Sequence, residues 1–212
     1  HIIIYTNPDD VPDYDVRAIE KRLAETTRSW TDDLQVALLD QCGEEVGNRL
    51  FRHYRDAFPT AYRAEFHARA AVPDILRMEQ LSPGSGLALS LYHPLEAPEH
   101  SLRFKVLRCE RPMTLSDILP VLETLGVQVV DERPYEIRAT ERPAMWMYDL
   151  GLVYTGEGEL DTDHVKALFQ DAFAQAWRDD IETDNFNRLV LRAQLSGREI
   201  AVLRAYSKYL RQ

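Results

Sequence analysis

Within residues 87–154 the hydrophobic period changes three times. Leu87, Leu89 and Leu91 alternate with Ala88, Ser90 and Tyr92, and Leu102, Phe104 and Val106 alternate with Arg103 and Lys105. Period two is the mark of strands with one buried face. Leu115, Ile118, Leu119, Leu122 and Leu125 then recur at spacings of three and four, which predicts a helix. Alternation returns in Val127-Gln-Val-Val and in Trp146, Tyr148, Leu150, Leu152 and Tyr154. The order is strand, strand, helix, strand, strand.

The flanks read as helical. His1-Ile-Ile-Ile-Tyr predicts a first strand, followed by a turn at Asn7-Pro-Asp-Asp-Val-Pro and a helix capped by Asp13 or Asp15. Val16, Ile19, Leu23, Trp30, Leu34, Ala37 and Leu38 predict one long helix ended by Gly43. Val46, Leu50, Phe51, Tyr54 and Phe58 predict a second, closed by Pro59. A third is expected over 61–71, and a fourth with Pro73 in its first turn. Ser82-Pro-Gly-Ser-Gly is the clearest boundary. Past it, Asp161 or Thr162 opens a helix carrying Val165, Leu168, Phe169, Phe173, Ala176 and Trp177, and two more helices are expected near 184–195 and 198–212. The expected divisions are 1–85, a strand with a helical subdomain; 86–178, an α/β sandwich; and 179–212, helices leading to a further domain.

A right-handed crossover between the Leu102 and Val127 strands leaves a seat between them. The Trp146 strand fills it antiparallel, and the Leu87 strand pairs on the free side of the Leu102 strand. The expected fold is α+β: a four-stranded antiparallel sheet in the order Leu87, Leu102, Trp146, Val127, with helices on one face. This is a permuted ferredoxin-like sheet, and it is similar to ACT domains, regulatory modules that often bind amino acids. Met145, Met147 and Val153 would then point to the other face. They are expected to meet a cover, either the helical segment around Trp30 to Phe58 or a neighbouring sheet, and form the candidate interface.

Composition narrows the function. The 212 residues are 45% hydrophobic and 28% charged, as in an ordinary globular protein, and the net charge of −10 argues against nucleic acid. No apolar run approaches the ~20 residues of a membrane span. Cys42 and Cys109 stand far apart in no motif, so the cytoplasm is the expected compartment. The first strand lacks a partner and Leu203-Arg-Ala-Tyr-Ser-Lys-Tyr-Leu-Arg-Gln stops inside a helical pattern, so the chain is expected to be a piece of a longer polypeptide.

Arg28-Ser-Trp-Thr-Asp-Asp-Leu, Phe51-Arg-His-Tyr-Arg-Asp-Ala-Phe-Pro, Leu91-Tyr-His-Pro-Leu-Glu, Ser101-Leu-Arg-Phe-Lys, Asp131-Glu-Arg-Pro-Tyr-Glu-Ile and Asn187-Arg-Leu-Val-Leu-Arg-Ala together resemble the large bacterial NAD-specific glutamate dehydrogenases. The resemblance runs in order along nearly the whole chain and falls in the non-catalytic N-terminal region of ACT-like and helical segments. It implies a parent that oxidises L-glutamate to 2-oxoglutarate and ammonia with NAD, assembles as a homo-oligomer and has its catalytic domain elsewhere in the polypeptide. It also implies a regulatory or structural role, with a small-molecule effector as a candidate partner. No catalytic, cofactor-binding or metal residue is expected in this stretch. The other reading is a stand-alone ACT-type sensor of amino acids.

Some residues invite other readings. His93, Glu96, Glu99 and His100 could hold a divalent metal, or even serve a metal hydrolase, but a polar solvated turn around Pro94 and Pro98 explains them better. Glu157, Glu159, Asp161 and Asp163 alternate like a calcium loop, and helix capping accounts for them more simply. Arg49, Arg52 and Arg55 are expected on a solvated edge, and Trp30 and Trp146 in the core.

Overall fold

The computed structural model describes residues 29–84, 86–94, 97–98, 101–156 and 161–211, and of Thr162 and Asp163 the backbone alone. The expected strand at 1–5, its turn and the Asp13 or Asp15 cap lie outside these residues. Four helices come first: α1 (Trp30–Cys42), α2 (Glu44–Tyr54), α3 (Thr60–Glu65) and α4 (Ala68–Glu79). Strands β1 (Leu87–Tyr92) and β2 (Ser101–Cys109) follow, then α5 (Leu115–Thr124), β3 (Val127–Ile137), β4 (Met145–Tyr154) and α6 (Thr162–Trp177). A 3-10 turn (Asn185–Arg188) leads into α7 (Leu189–Arg192) and α8 (Gly197–Leu210).

Local signals place some boundaries differently from the sequence pattern. α1 does not continue through Ser29, which is extended (φ −77°, ψ 155°) and closes a reciprocal cap with Asp32. The apolar stripe that predicts one long helix therefore spans a break. Residues 61–71 are also broken, because Phe66 and His67 are extended. The Phe66 carbonyl accepts the Trp30 indole N–H at 2.8 Å and its ring meets Tyr62 and Tyr135, so tertiary contacts hold it out of the helix. Since α4 begins at Ala68, Pro73 sits in its second turn and not its first.

The sheet is antiparallel throughout, in the order β1-β2-β4-β3, as the crossover argument requires. One face carries Leu91, Leu102, Phe104, Val106, Leu150 and Leu152 against α5 and α6, with Phe104 edge-on to Phe169 and Phe173. Leu87, Leu89 and Trp146 pack on the same cluster, so Trp146 is a core residue.

The other face is covered too, so helices lie on both sides of the sheet. Leu107, Cys109, Met145 and Met147 pack with Tyr135 and Ile137 against Leu34, Leu38, Leu50, Tyr54, Ile75 and Met78 of α1, α2 and α4. Of the two covers expected for Met145 and Met147, the helical segment of this same chain is the one found. Both methionines are fully buried there, so the candidate interface they form lies between this chain's own sheet and helices. Val153, half-buried, pairs with Ser101 at the opposite end of β4. The β3–β4 connection ties the helices down: the Arg138 N–H donates to Ala57 O at 3.1 Å and the Thr140 N–H to His53 O at 2.9 Å.

β3 reaches this second core through a bulge. Its register on β4 shifts between Val129 and Asp131, leaving Val130 exposed. Val127 and Val129 therefore face the first core, and Asp131, Arg133, Tyr135 and Ile137 the second. Pro134 is tolerated because β3 is an edge strand.

α8 docks through Ile200, which enters the first core, and through Arg204. Arg204, 6% exposed, donates to Asp184 Oδ2 at 2.7 Å and to Asn187 Oδ1 at 2.9 Å, while Val202, Tyr206, Tyr209 and Leu210 face outward.

Candidate functional site

The second face of the sheet changes character along its strands. At the Met145 end it is apolar. At the other end it carries Arg103 and Lys105 on β2, Asp149 and Gly151 on β4, and Asp131 and Arg133 on β3. Pairing of Lys105 with Asp149, Arg103 with Gly151, and Gly151 with Asp131 brings these side chains together.

Arg103 organises one half. Its Nε donates to Asp149 Oδ1 at 3.1 Å, Nη2 to the Asp149 carbonyl at 3.1 Å, and Nη1 to Asp131 Oδ1 at 2.6 Å. Asp149 Oδ2 lies 2.9 Å from Arg103 Nη2 but has no aligned hydrogen bond, so charge alone holds it. Asp149 is fully buried. Burial pushes its carboxyl above the ordinary carboxylate value, outweighing the pull of Arg103 in the other direction. Burial alone would lower the Arg103 guanidinium, yet Asp149 and Asp131 raise it. Gly151 makes room for the cluster: a Cβ there would lie 2.2 Å from Asp131 Oδ2 and 3.0 Å from Arg103 Nη1.

The other half joins sheet to helices. Lys105 Nζ donates to Asp74 Oδ2 of α4 at 2.6 Å, and the Tyr62 hydroxyl donates to the same oxygen at 2.8 Å. The ammonium also lies 4.1 Å from the Phe66 ring centroid and 5.8 Å from those of Tyr62 and Tyr92. An aromatic cage with one carboxylate compensates a desolvated lysine. Burial, then the charge of Asp74, raises the Tyr62 hydroxyl far above its usual pKa, so it remains a donor. At the margin Arg133 of β3 pairs with Glu65 of α3.

Each charge in this seam is spent on another. The arrangement clamps helices α3 and α4 to the sheet and offers no poised nucleophile. Its members escaped the sequence reading because their partners are 28 to 46 residues apart. One signal was available: Asp149 is the one charged residue in β4, which is otherwise apolar on both faces.

The sequence candidates fall elsewhere. Of the four residues in the β1–β2 connection, only His93 is described, with Nε2 at 3.2 Å from Pro98 O; Glu96, Glu99 and His100 lie outside the described residues. Among the described residues no three His, Cys, Asp or Glu side chains gather as metal ligands. Asp161 caps α6 through His164 N at 3.2 Å; Glu157, Glu159 and the Asp163 side chain lie outside the description. Arg49 and Arg52 are exposed on α2 and Arg55 at its C-terminal cap, where it pairs with Asp56. Trp30 packs on Phe58 and Tyr62 in the second core.

The residues present do not fit NAD. Dinucleotide sites use a parallel sheet whose glycine loop leaves a strand and opens a helix. Here the sheet is antiparallel and the Ser82–Gly86 loop runs into β1. Gly156 and Gly158 do follow β4, but they alternate with Glu157 and Glu159, whose charges repel a pyrophosphate.

Three family models match the chain, each describing a part of glutamate dehydrogenase. Residues 37–81 match its helical motif 2, residues 86–165 its ACT3 domain, and residues 181–212 its helical motif 3. The helical motif 2 match ends after α4, and the ACT3 match takes in the whole sheet. The chain is also similar to curated proteins named NAD-specific glutamate dehydrogenase. It is 39% identical over 99% of its length to that of Halomonas elongata, 35% over 99% to that of Pseudomonas aeruginosa, and 30% over 97% to that of Mycobacterium tuberculosis. It spans about 13% of the length of each of these relatives. No described helix is long and apolar enough to cross a membrane. An antiparallel ACT-type sheet with helical motifs before and after it, matched from end to end, places this chain in the family of large NAD-specific glutamate dehydrogenases, in their N-terminal region.

Proposed function

We propose that this chain is a structural and regulatory segment of a cytoplasmic NAD-specific glutamate dehydrogenase. The parent oxidises L-glutamate to 2-oxoglutarate and ammonia, with NAD as hydride acceptor bound by a catalytic domain elsewhere in the polypeptide. The segment's work is mechanical: it holds helical motif 2 on the ACT3 sheet through the Lys105–Asp74 and Arg103–Asp149 seam, and so fixes the surfaces it offers to the rest of a homo-oligomeric enzyme. The divisions at 1–85, 86–178 and 179–212 are the proposed units of that arrangement, with a small-molecule effector as a partner of the middle one. What carries this reading is a match over 99% of the chain that takes up only 13% of each relative.

Two measurements test it. The isolated chain should give no NADH from glutamate and NAD, and turnover that survives repurification would overturn the proposal. In the full-length parent, Lys105→Met should alter oligomer state or effector response while leaving the glutamate and NAD sites chemically intact. A parent carrying this change with unchanged assembly, regulation and kinetics would remove the mechanical role.

A further inference from the structure

A cleft of about 300 Å³ opens where β2 ends, apart from the charged seam. Arg108 and Cys109 line it from the strand, Glu110 and Arg111 from the turn that follows, and Trp177 from the last residue of α6. Arg108 projects on the α6 side of the sheet, and its guanidinium lies over the Trp177 indole, 5.9 Å from the ring centroid. That indole is itself stacked on Phe173 at an interplanar angle of 13°. This cation–π contact holds the guanidinium in a half-buried position beside the cleft.

The charged lining of this cleft is two guanidinium groups, Arg108 and Arg111, and one carboxylate, Glu110. Arg103, Arg133, Arg138, Arg142, Arg178 and Arg204 each hold a carboxylate. Among the described residues no carboxylate pairs with Arg108 or Arg111, although the chain carries a net charge of −10. Glu110 lines the cleft with them, so the lining keeps an excess of one positive charge. A guanidinium held against a ring beside an open volume loses little entropy on taking an anion, and the indole offers a flat apolar wall for a carbon skeleton. We infer that this cleft binds a small organic carboxylate, with Arg108 as the anion-holding residue, Arg111 as the second cation and Trp177 as the wall.

The test is calorimetric titration of the 212-residue chain with succinate at low ionic strength, and with inorganic phosphate as a second arm. Succinate should give a saturable heat and shift the emission of Trp177, while phosphate binds at least about tenfold more weakly for want of a skeleton to lie on the indole. Arg108→Met should weaken succinate at least about tenfold, the size expected for losing a charge-assisted bidentate contact. Arg111→Met, an exposed position where folding is not at stake, should weaken it less. Absence of a saturable heat, or succinate binding unchanged in folded Arg108→Met or Arg111→Met protein, would overturn the site. Phosphate binding as tightly as succinate would overturn the carboxylate assignment.

Discussion

The Lys105 ammonium sits 2.6 Å from Asp74 Oδ2, which joins the middle of the sheet to α4 through two side chains that are almost sealed from water. Breaking a buried pair by removing one partner leaves a bare charge, at a cost of about 3–5 kcal/mol. Lys105→Met should therefore destabilise the chain by about that amount in urea unfolding. Asp74→Asn keeps an acceptor for the Tyr62 hydroxyl, and the Lys105→Met/Asp74→Asn double variant should lose much less than the sum of the singles. Additive losses would show that the two groups do not act as a pair.

Arg103 gives a pH signature. The Asp149 carboxyl is raised by burial, so the folded chain holds a proton that the unfolded chain releases between the ordinary carboxylate value and the raised one. Stability from this group is fully present below the unfolded pKa and is lost as pH rises through the folded one. Arg103 limits that effect by pulling the carboxyl down. In Arg103→Met the raised window widens, and the deficit relative to the parent chain should be smaller at about pH 5 than at about pH 8. A deficit that does not change with pH would mean that Asp149 does not carry the buried charge.

Gly151 is a steric prediction. An added Cβ meets the far end of the Asp131 side chain, which is 44% exposed and can swing outward, so Gly151→Ala should cost only about 1 kcal/mol through the loss of the Arg103–Asp131 contact. With Asp131→Ala already in place, the same Gly151→Ala change should cost almost nothing. A cost that persists would point to backbone strain in β4.

Met147 and Leu150 point to opposite cores. Met147→Lys places a charge beneath α1, α2 and α4, and should cost more than about 3 kcal/mol or abolish folding. Leu150→Ala removes volume beneath α5 and α6 and should cost about 2–5 kcal/mol. Thermal unfolding of the two variants checks both covers separately. A soluble Met147→Lys chain of unchanged stability would refute the helical cover on that face.

Periodicity carried a large part of the architecture. The alternations at Leu87, Leu102, Val127 and Trp146 and the helical spacing at Leu115 placed four strands and a helix, and the handedness of the crossover then ordered the sheet. What it missed has local causes. The Ser29 cap starts α1 within an apolar stripe that runs on in phase before it, and the extended Phe66–His67 pair separates α3 from α4, so residue spacing alone missed both boundaries. The bulge at Val130 shifts the face of every later residue in β3, and nothing in Val127-Gln-Val-Val announces an extra residue. The seam was hardest to read, because Arg103 and Lys105 look like the solvated partners of an ordinary alternating strand.

The sequence by itself determined the order of the elements, the pairing of the strands and the family, since these follow from short-range burial patterns and from residues matched in line. Tertiary structure alone decided that α1, α2 and α4 close the second face, that Asp74 and not water receives Lys105, and that α8 turns Arg204 inward and its tyrosines outward. The reason is physical. Period reports which side of an element is dry, but the identity of the group across the interface depends on contacts between residues tens of positions apart, which no local pattern encodes.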